Sequence, residues 1–194
     1  SAARWLTANR PSRRQTSGTQ RGRRPQLPRN NIQRKVPGRR PFTAFVPWSG
    51  LEFTPRLVDE LRRSGLAERI VLLSTGAAPP IAGCTIVRVS SLTSSETVRR
   101  VAAATTTPYA FWVLHDTGIA LGQFAAQRFA SVAEATGAGM VYSDYYDIKD
   151  GAQVAHPVIE YQAGSIRDDF NFGSVVVADA AALRAAATEA RGAR

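Results

Sequence analysis

Short apolar runs alternate along this chain with stretches in which apolar residues recur every three or four positions. That alternation limits the possible folds more than any other feature. The runs Phe42–Val46, Arg69–Leu73, Thr85–Val89 and Tyr109–Leu114 read as strands, and Gly139–Ser143 starts a fifth. Pro47 stops the first of them. Thr54 then reads as a helix cap with Pro55 at the first helical position. Leu57, Val58 and Leu61 give that helix its apolar stripe, and Gly65 ends it. Thr93-Ser94-Ser95-Glu96 reads as a capping box. The helix it opens turns Val98, Val101 and Ala102 inward and stops before Thr107-Pro108. Leu121, Phe124, Phe129, Val132 and Ala133 mark a longer helix closed by Gly137. Three strand–helix–strand passes predict an α/β domain with a mostly parallel, doubly wound sheet. Its buried strand residues are expected to be Phe45, Val71, Leu73, Val87, Phe111 and Val113. Asp150-Gly151 signals a hairpin between Tyr145–Lys149 and Gln153–Ile159, expected as an antiparallel addition at one edge. Ser174–Val177 reads as a last strand, and Asp179 as the cap of an Ala-rich final helix.

The pattern starts only at Phe42. Residues 1–40 carry 12 of the 25 Lys and Arg residues and no Asp or Glu. The remaining 13 basic and 15 acidic residues leave the rest of the chain at 13 − 15 = −2. The high net charge of +10 therefore belongs to the start of the chain and not to the α/β body. A segment with so little to bury cannot offset the entropy of ordering it, so residues 1–41 are expected to form a disordered, low-complexity basic tail. It reads either as an arm for weak polyanion binding, RNA included, or as a solvated extension. Residues 42–194 are then the folded domain.

One cysteine, Cys84, excludes an internal disulfide framework and a Cys-rich zinc module. No apolar run is long enough for a transmembrane segment, and the first residues lack the apolar stretch of a secretory signal. The expected location is cytoplasmic, or peripheral at the inner face of the membrane.

Several chemistries lack support. There is no phosphate-cradling G-x-x-x-x-G-K-[ST] loop and no G-x-S-x-G elbow. Gly137 and Gly139 precede a strand and have no third glycine at the dinucleotide spacing. Open α/β sheets bind ligands at the carboxyl ends of their strands. Those ends carry Pro47-Trp48, Ser74-Thr75, His115-Asp116 and Ser143-Asp144. Asp116 could hold a divalent cation that bridges a substrate diphosphate, or cap a turn before Gly118. Asp144 and Asp147 have the same two readings in a hairpin. His115 reads as a ligand, a base or neither, and Trp48 as a base-stacking ring or a packing residue. Tyr142, Tyr145, Tyr146 and Tyr161 suit sugar or base stacking, and equally half-exposed strand positions. Arg167-Asp168-Asp169 reads as an internal ion pair or as a phosphate and metal locus.

The order of these pieces resembles the nucleotide-binding half of the inverting family-two glycosyltransferases with the GT-A (Rossmann-like) fold. Phe45-Val46-Pro47-Trp48-Ser49, Ile70–Gly76 and Tyr109–Asp116 carry the likeness in the first strands. Ala133–Asp144, His156–Ile159 and Gly164–Ser174 look like a divergent bacterial branch of that family. The resemblance covers roughly residues 42–190. It implies a nucleotide-diphospho-sugar donor bordered by Pro47, Trp48, Ser74, Thr75 and Asp116. It implies Mg2+ or Mn2+ held by Asp116, and a glycan or lipid-linked acceptor. The first Asp of the family's Asp-x-Asp motif falls at Leu114, so only Asp116 of the pair is present. The family's catalytic base and its Gln-x-x-Arg-Trp motif are expected beyond Arg194. The alternatives are a GT-A-like binding module without catalysis, and an RNA-associated protein acting through the basic tail.

Overall fold

The computed structural model describes residues 3–6 (backbone only), 40–48, 50, 52–159, 161 and 170–190. Along the chain these form strand β1 (Ala3–Leu6), strand β2 (Phe42–Trp48), helix α1 (Phe53–Ser64) and strands β3 (Ala67–Ser74) and β4 (Cys84–Arg88). Helix α2 (Ser95–Ala104), strand β5 (Tyr109–Val113), helix α3 (Ala125–Thr136) and strand β6 (Met140–Ser143) follow. Strands β7 (Tyr145–Lys149), β8 (Ala152–His156) and β9 (Val175–Asp179) and helix α4 (Ala180–Glu189) complete the order.

The protein is α/β, with a mixed, mostly parallel seven-stranded sheet in the order β1-β6-β9-β5-β2-β3-β4, and a separate two-stranded sheet β7-β8. β2 pairs in parallel with both β3 and β5, and β3 with β4. β9 runs antiparallel to both β5 and β6, so β6 points the same way as β5. β1 is antiparallel to β6. It lies within the segment expected to lack order, while residues 7–39 lie outside the described residues.

Alternate residues of the central strands face opposite layers, as the two-residue period of a strand requires. Phe42, Ala44 and Val46 of β2, Ile70 and Leu72 of β3, and Phe111 and Val113 of β5 are buried against α1 and α3. Phe45, Val71, Leu73 and Ala110 are buried against α2 and α4. Helices therefore cover both faces of the sheet. Among the buried polar residues is Thr43, whose hydroxyl shares a 2.9 Å hydrogen bond with Thr107 Oγ1 and accepts from Thr106 N at 3.2 Å.

Several local expectations are corrected. The hairpin, with Asp150 (φ 51°) and Gly151 (φ 78°) at its turn, does not extend the main sheet. The antiparallel member among the central strands is instead β9, inserted between β5 and β6. β2 continues through Pro47 and Trp48, which pair with Leu73 and Ser74. Its register with β5 has already ended at Phe45–Trp112, so Pro47 stands where these two strands no longer pair. Thr54 lies within α1 and does not cap it; the residue before the helix is Glu52, with no side-chain cap. Ser94, and not Thr93, caps α2 by accepting from Thr97 N. Glu96 turns instead to Ser90 Oγ and Arg100 Nε, which hold its carboxyl below the usual value. Leu121 and Phe124 precede α3, and Val87 is only half-buried because β4 is an edge strand. The expected cap at Asp179 is present: its carboxylate accepts from Ala181 N and Ala182 N.

Candidate functional site

From β2 the chain steps outward through β3 to β4, then crosses back to place β5 on the other side of β2. Connections thus leave β2 and β5 in opposite directions, and a crevice opens beyond their carboxyl ends. Pro47, Phe53, Thr54, His115, Asp116 and Thr117 are among the residues lining it. The pocket measures about 200 Å³ counted to its open mouth, with interior room of about 10 Å³. That interior holds about one water, so anything larger would have to lie across the mouth.

Helix α1 joins the two walls. On the β2 side, Thr54 donates its hydroxyl to the Pro47 carbonyl at 3.2 Å, in a buried bond. On the β5 side, Glu60 Oε2 accepts the Leu121 N–H at 3.0 Å. The Phe53 ring lies over the loop at Gly118, where an added Cβ would sit 3.0 Å from Phe53 Cδ1. A side chain at 118 would therefore displace the exposed Phe53 ring by a few tenths of an ångström. Removing the acceptor in Glu60→Ala leaves the Leu121 N–H unpaired and is expected to cost about 1 kcal/mol in urea unfolding, with Glu60→Gln near wild type.

The five expected nucleotide contacts all lie at this one edge of the sheet. Pro47 and Asp116 share the crevice. Trp48 is half-buried and packs on the cluster beneath α1 and α3. It is the register partner of Ser74, one strand further from the crevice. Ser74 is buried, and its hydroxyl donates to Gly76 O at 3.0 Å and accepts from Gly76 N at 3.3 Å. That hydroxyl shapes its own turn; Thr75 beside it is exposed.

Asp116 is half-buried, and neither it nor the exposed His115 has a hydrogen-bond or ion-pair partner among the described residues. The turn-capping alternative for Asp116 thus has no hydrogen bond behind it. The hairpin acids differ. Asp144 Oδ1 accepts from Val158 N at 2.7 Å, and Asp147 Oδ2 lies 3.0 Å from His156 Nε2. His156 stacks on Tyr145 at 4.9 Å, and Tyr145 accepts at its hydroxyl from Asn171 Nδ2. Tyr142 is fully buried and donates to Ile159 O at 2.7 Å. These groups hold the hairpin and its following loop in place. Tyr146 is exposed and Tyr161 half-buried. Arg167-Asp168-Asp169 lies outside the described residues.

Among the described residues, no group of three or more His, Cys, Asp or Glu side chains is gathered for a metal ion. A hard cation that keeps its waters and takes phosphate oxygens from a substrate needs only one or two protein carboxylates. Asp116 meets that lower requirement. Leu114 cannot supply the second oxygen, and it packs into a separate cluster with Tyr142, Val158 and Val176. No described helix is long and apolar enough to cross a membrane.

That Phe53 and Glu60 lie beside this crevice was not legible in the sequence. Phe53 precedes the expected helix start, Glu60 looks like an ordinary exposed helix acid, and only the fold brings 53 against 118. Comparison with protein-family models, with curated proteins and with solved structures gave no match.

Proposed function

We propose that residues 42–194 form the donor-binding half of a GT-A-type inverting glycosyltransferase, taking a nucleotide-diphospho-sugar at the carboxyl edge of the sheet. The observation that carries this reading is the crevice where β2 and β5 diverge, with Asp116, unpartnered among the described residues, on one wall and Pro47 on the other. The sheet order supports it, because connections reverse direction at β2 and β5, where open α/β sheets take ligands.

The diphosphate would lie across the crevice mouth, where Asp116 would hold Mg2+ or Mn2+, which would supply neutralisation of the departing charge. Phe53, Trp48 and Thr75 border the nucleotide. An acceptor hydroxyl, of a glycan or a lipid-linked glycan, attacks the anomeric carbon. The bond from that carbon to the diphosphate breaks, and a carboxylate takes the hydroxyl proton. No described residue is assigned that last role.

A second reading keeps the fold and the binding without transfer. It is favoured by Leu114, whose apolar side chain packs away where the resemblance expects the first metal Asp.

Asp116→Asn retains the size of the side chain and removes its charge. It is expected to leave the melting temperature nearly unchanged. Calorimetry should show manganese-dependent binding of UDP or GDP weakened about tenfold or more, near 1.4 kcal/mol. Equal binding by wild type and variant would remove Asp116 from the site.

A further inference from the structure

The hairpin β7–β8 forms a sheet of its own, and two strands alone are marginal in water. Its base is anchored: Tyr145 and His156 stack, and Asn171 donates to the Tyr145 hydroxyl. Its outer part is open, because every residue from Ile148 to Ala155 is exposed. Tyr146 and Ile148, on one face of β7, are 53% and 67% exposed. Among the described residues, β7 pairs with β8 alone, and no other backbone group bonds to it. The turn fixes which groups the other edge of β7 offers. Asp150 and Gly151, both at positive φ, form a two-residue loop of the type that closes on a hydrogen-bonded pair, here Lys149 and Ala152. The ladder alternates, so the N–H and C=O of Lys149 and Asp147 point to β8, and those of Ile148 and Tyr146 point outward.

We infer that this outer edge of β7 is a self-association surface: a second copy of the chain adds its own β7 antiparallel, centred on Ile148, and the two hairpins make one four-stranded sheet. The charges select that partner and that register. Outward groups must meet outward groups, so the two-fold axis falls at a residue and not between residues. An axis at Asp147 or at Lys149 sets like charges directly opposite each other, which is destabilising. An axis at Tyr146 leaves both charges without an opposite partner. An axis at Ile148 sets Asp147 against Lys149 of the second copy, and does so twice, in the closer non-hydrogen-bonded pairs. It also sets Ile148 opposite Ile148, with Tyr146 on the diagonal within reach of it. Asp147-Ile148-Lys149 is thus complementary to itself when reversed. β8 carries no charge from Ala152 to Ala155 and has nothing comparable to fix a register. The same patch serves both copies, so the contact closes at two.

The test is sedimentation of the full chain over a range of concentrations. Wild type should show a reversible monomer–dimer equilibrium with a Kd on the order of 10–100 µM, as a contact of small area gives. Lys149→Asp sets carboxylates against each other at both pairs and should weaken the dimer about tenfold or more. Asp147→Lys should do the same with two ammonium groups. The double variant Asp147→Lys/Lys149→Asp restores opposite charges and should return the Kd to within about threefold of wild type. Asp147→Lys removes the contact with His156 in the single and the double variant alike, so the recovery reports the charge pairing. Amide exchange locates the contact: the outward N–H groups of Tyr146 and Ile148 should exchange rapidly at about 10 µM and slowly at about 500 µM. The inference is overturned by a chain that stays monomeric to about 1 mM, which would leave the edge to a strand of another protein. It is overturned equally by a dimer that Lys149→Asp leaves unchanged or that the double variant fails to restore. Protection of Tyr146 and Ile148 that is the same at both concentrations would also overturn it, because the edge would then be covered within one chain.

Discussion

Phe111→Ala is expected to destabilise the protein by about 3–5 kcal/mol, as truncation of a fully enclosed phenylalanine does. Phe111 lies in β5, paired on one side with β2 and on the other with β9. Its side chain is 0% exposed. The ring sits 5.6 Å from that of Phe42 and 6.0 Å, edge-on, from that of Phe129 in α3. Alanine would leave a void between sheet and helix that neither neighbour can fill, because Phe42 is fixed in β2 and Phe129 by its own helix. A typical domain has only about 5–15 kcal/mol of stability, so the variant should unfold at far lower urea concentration. A loss below about 1 kcal/mol would mean that α3 does not cover this face.

Leu73→Ala probes the opposite layer and is expected to cost about 2–5 kcal/mol. Leu73 is 1% exposed and shares a buried cluster with Phe45, with Val101 of α2 and with Leu183 of α4. It is also the register partner of Pro47. A cavity here weakens the strand that supports one wall of the crevice. Urea unfolding of the two variants distinguishes a sheet covered on both faces from one covered on a single face. In the second case only one substitution would be costly.

The parallel part of the fold was legible because its signals are local. Continuous apolar runs such as Ile70–Leu73 mark strands buried on both faces, and Gly65 and Gly137 end the helices that separate them. The place and direction of β9 were not legible. Val175–Val177 reads the same whether the strand runs parallel or antiparallel, and nothing local says that it inserts between β5 and β6. The hairpin turn was readable from Asp150-Gly151, but whether its strands join the main sheet depends on edge contacts and not on the turn. Pro47 misled in a different way. Its missing N–H suggests a strand end, yet only the pairing to β5 stops before it, while that to β3 continues.

The site was legible in part. Strand ends with small and polar residues pointed to the edge where the crevice lies, and Pro47 and Asp116 both line it. Ser74 looked available for a ligand, but its burial and its turn-forming bonds to Gly76 emerge only from the fold. The brace from Glu60 to Leu121 spans 61 positions, and no sequence pattern of short range could announce it.

On the proposed donor-binding function, a nucleoside diphosphate and its cation meet at the crevice between β2 and β5. Manganese is paramagnetic and broadens the amide signals nearest to it, so heteronuclear NMR of the labelled full chain can locate the ion in the presence of UDP. His115, Asp116, Thr117 and Phe53 are expected to lose intensity first, while the hairpin residues Asp144 and Asp147 keep theirs. Losses centred on the hairpin, or spread along the chain without a common centre, would contradict it.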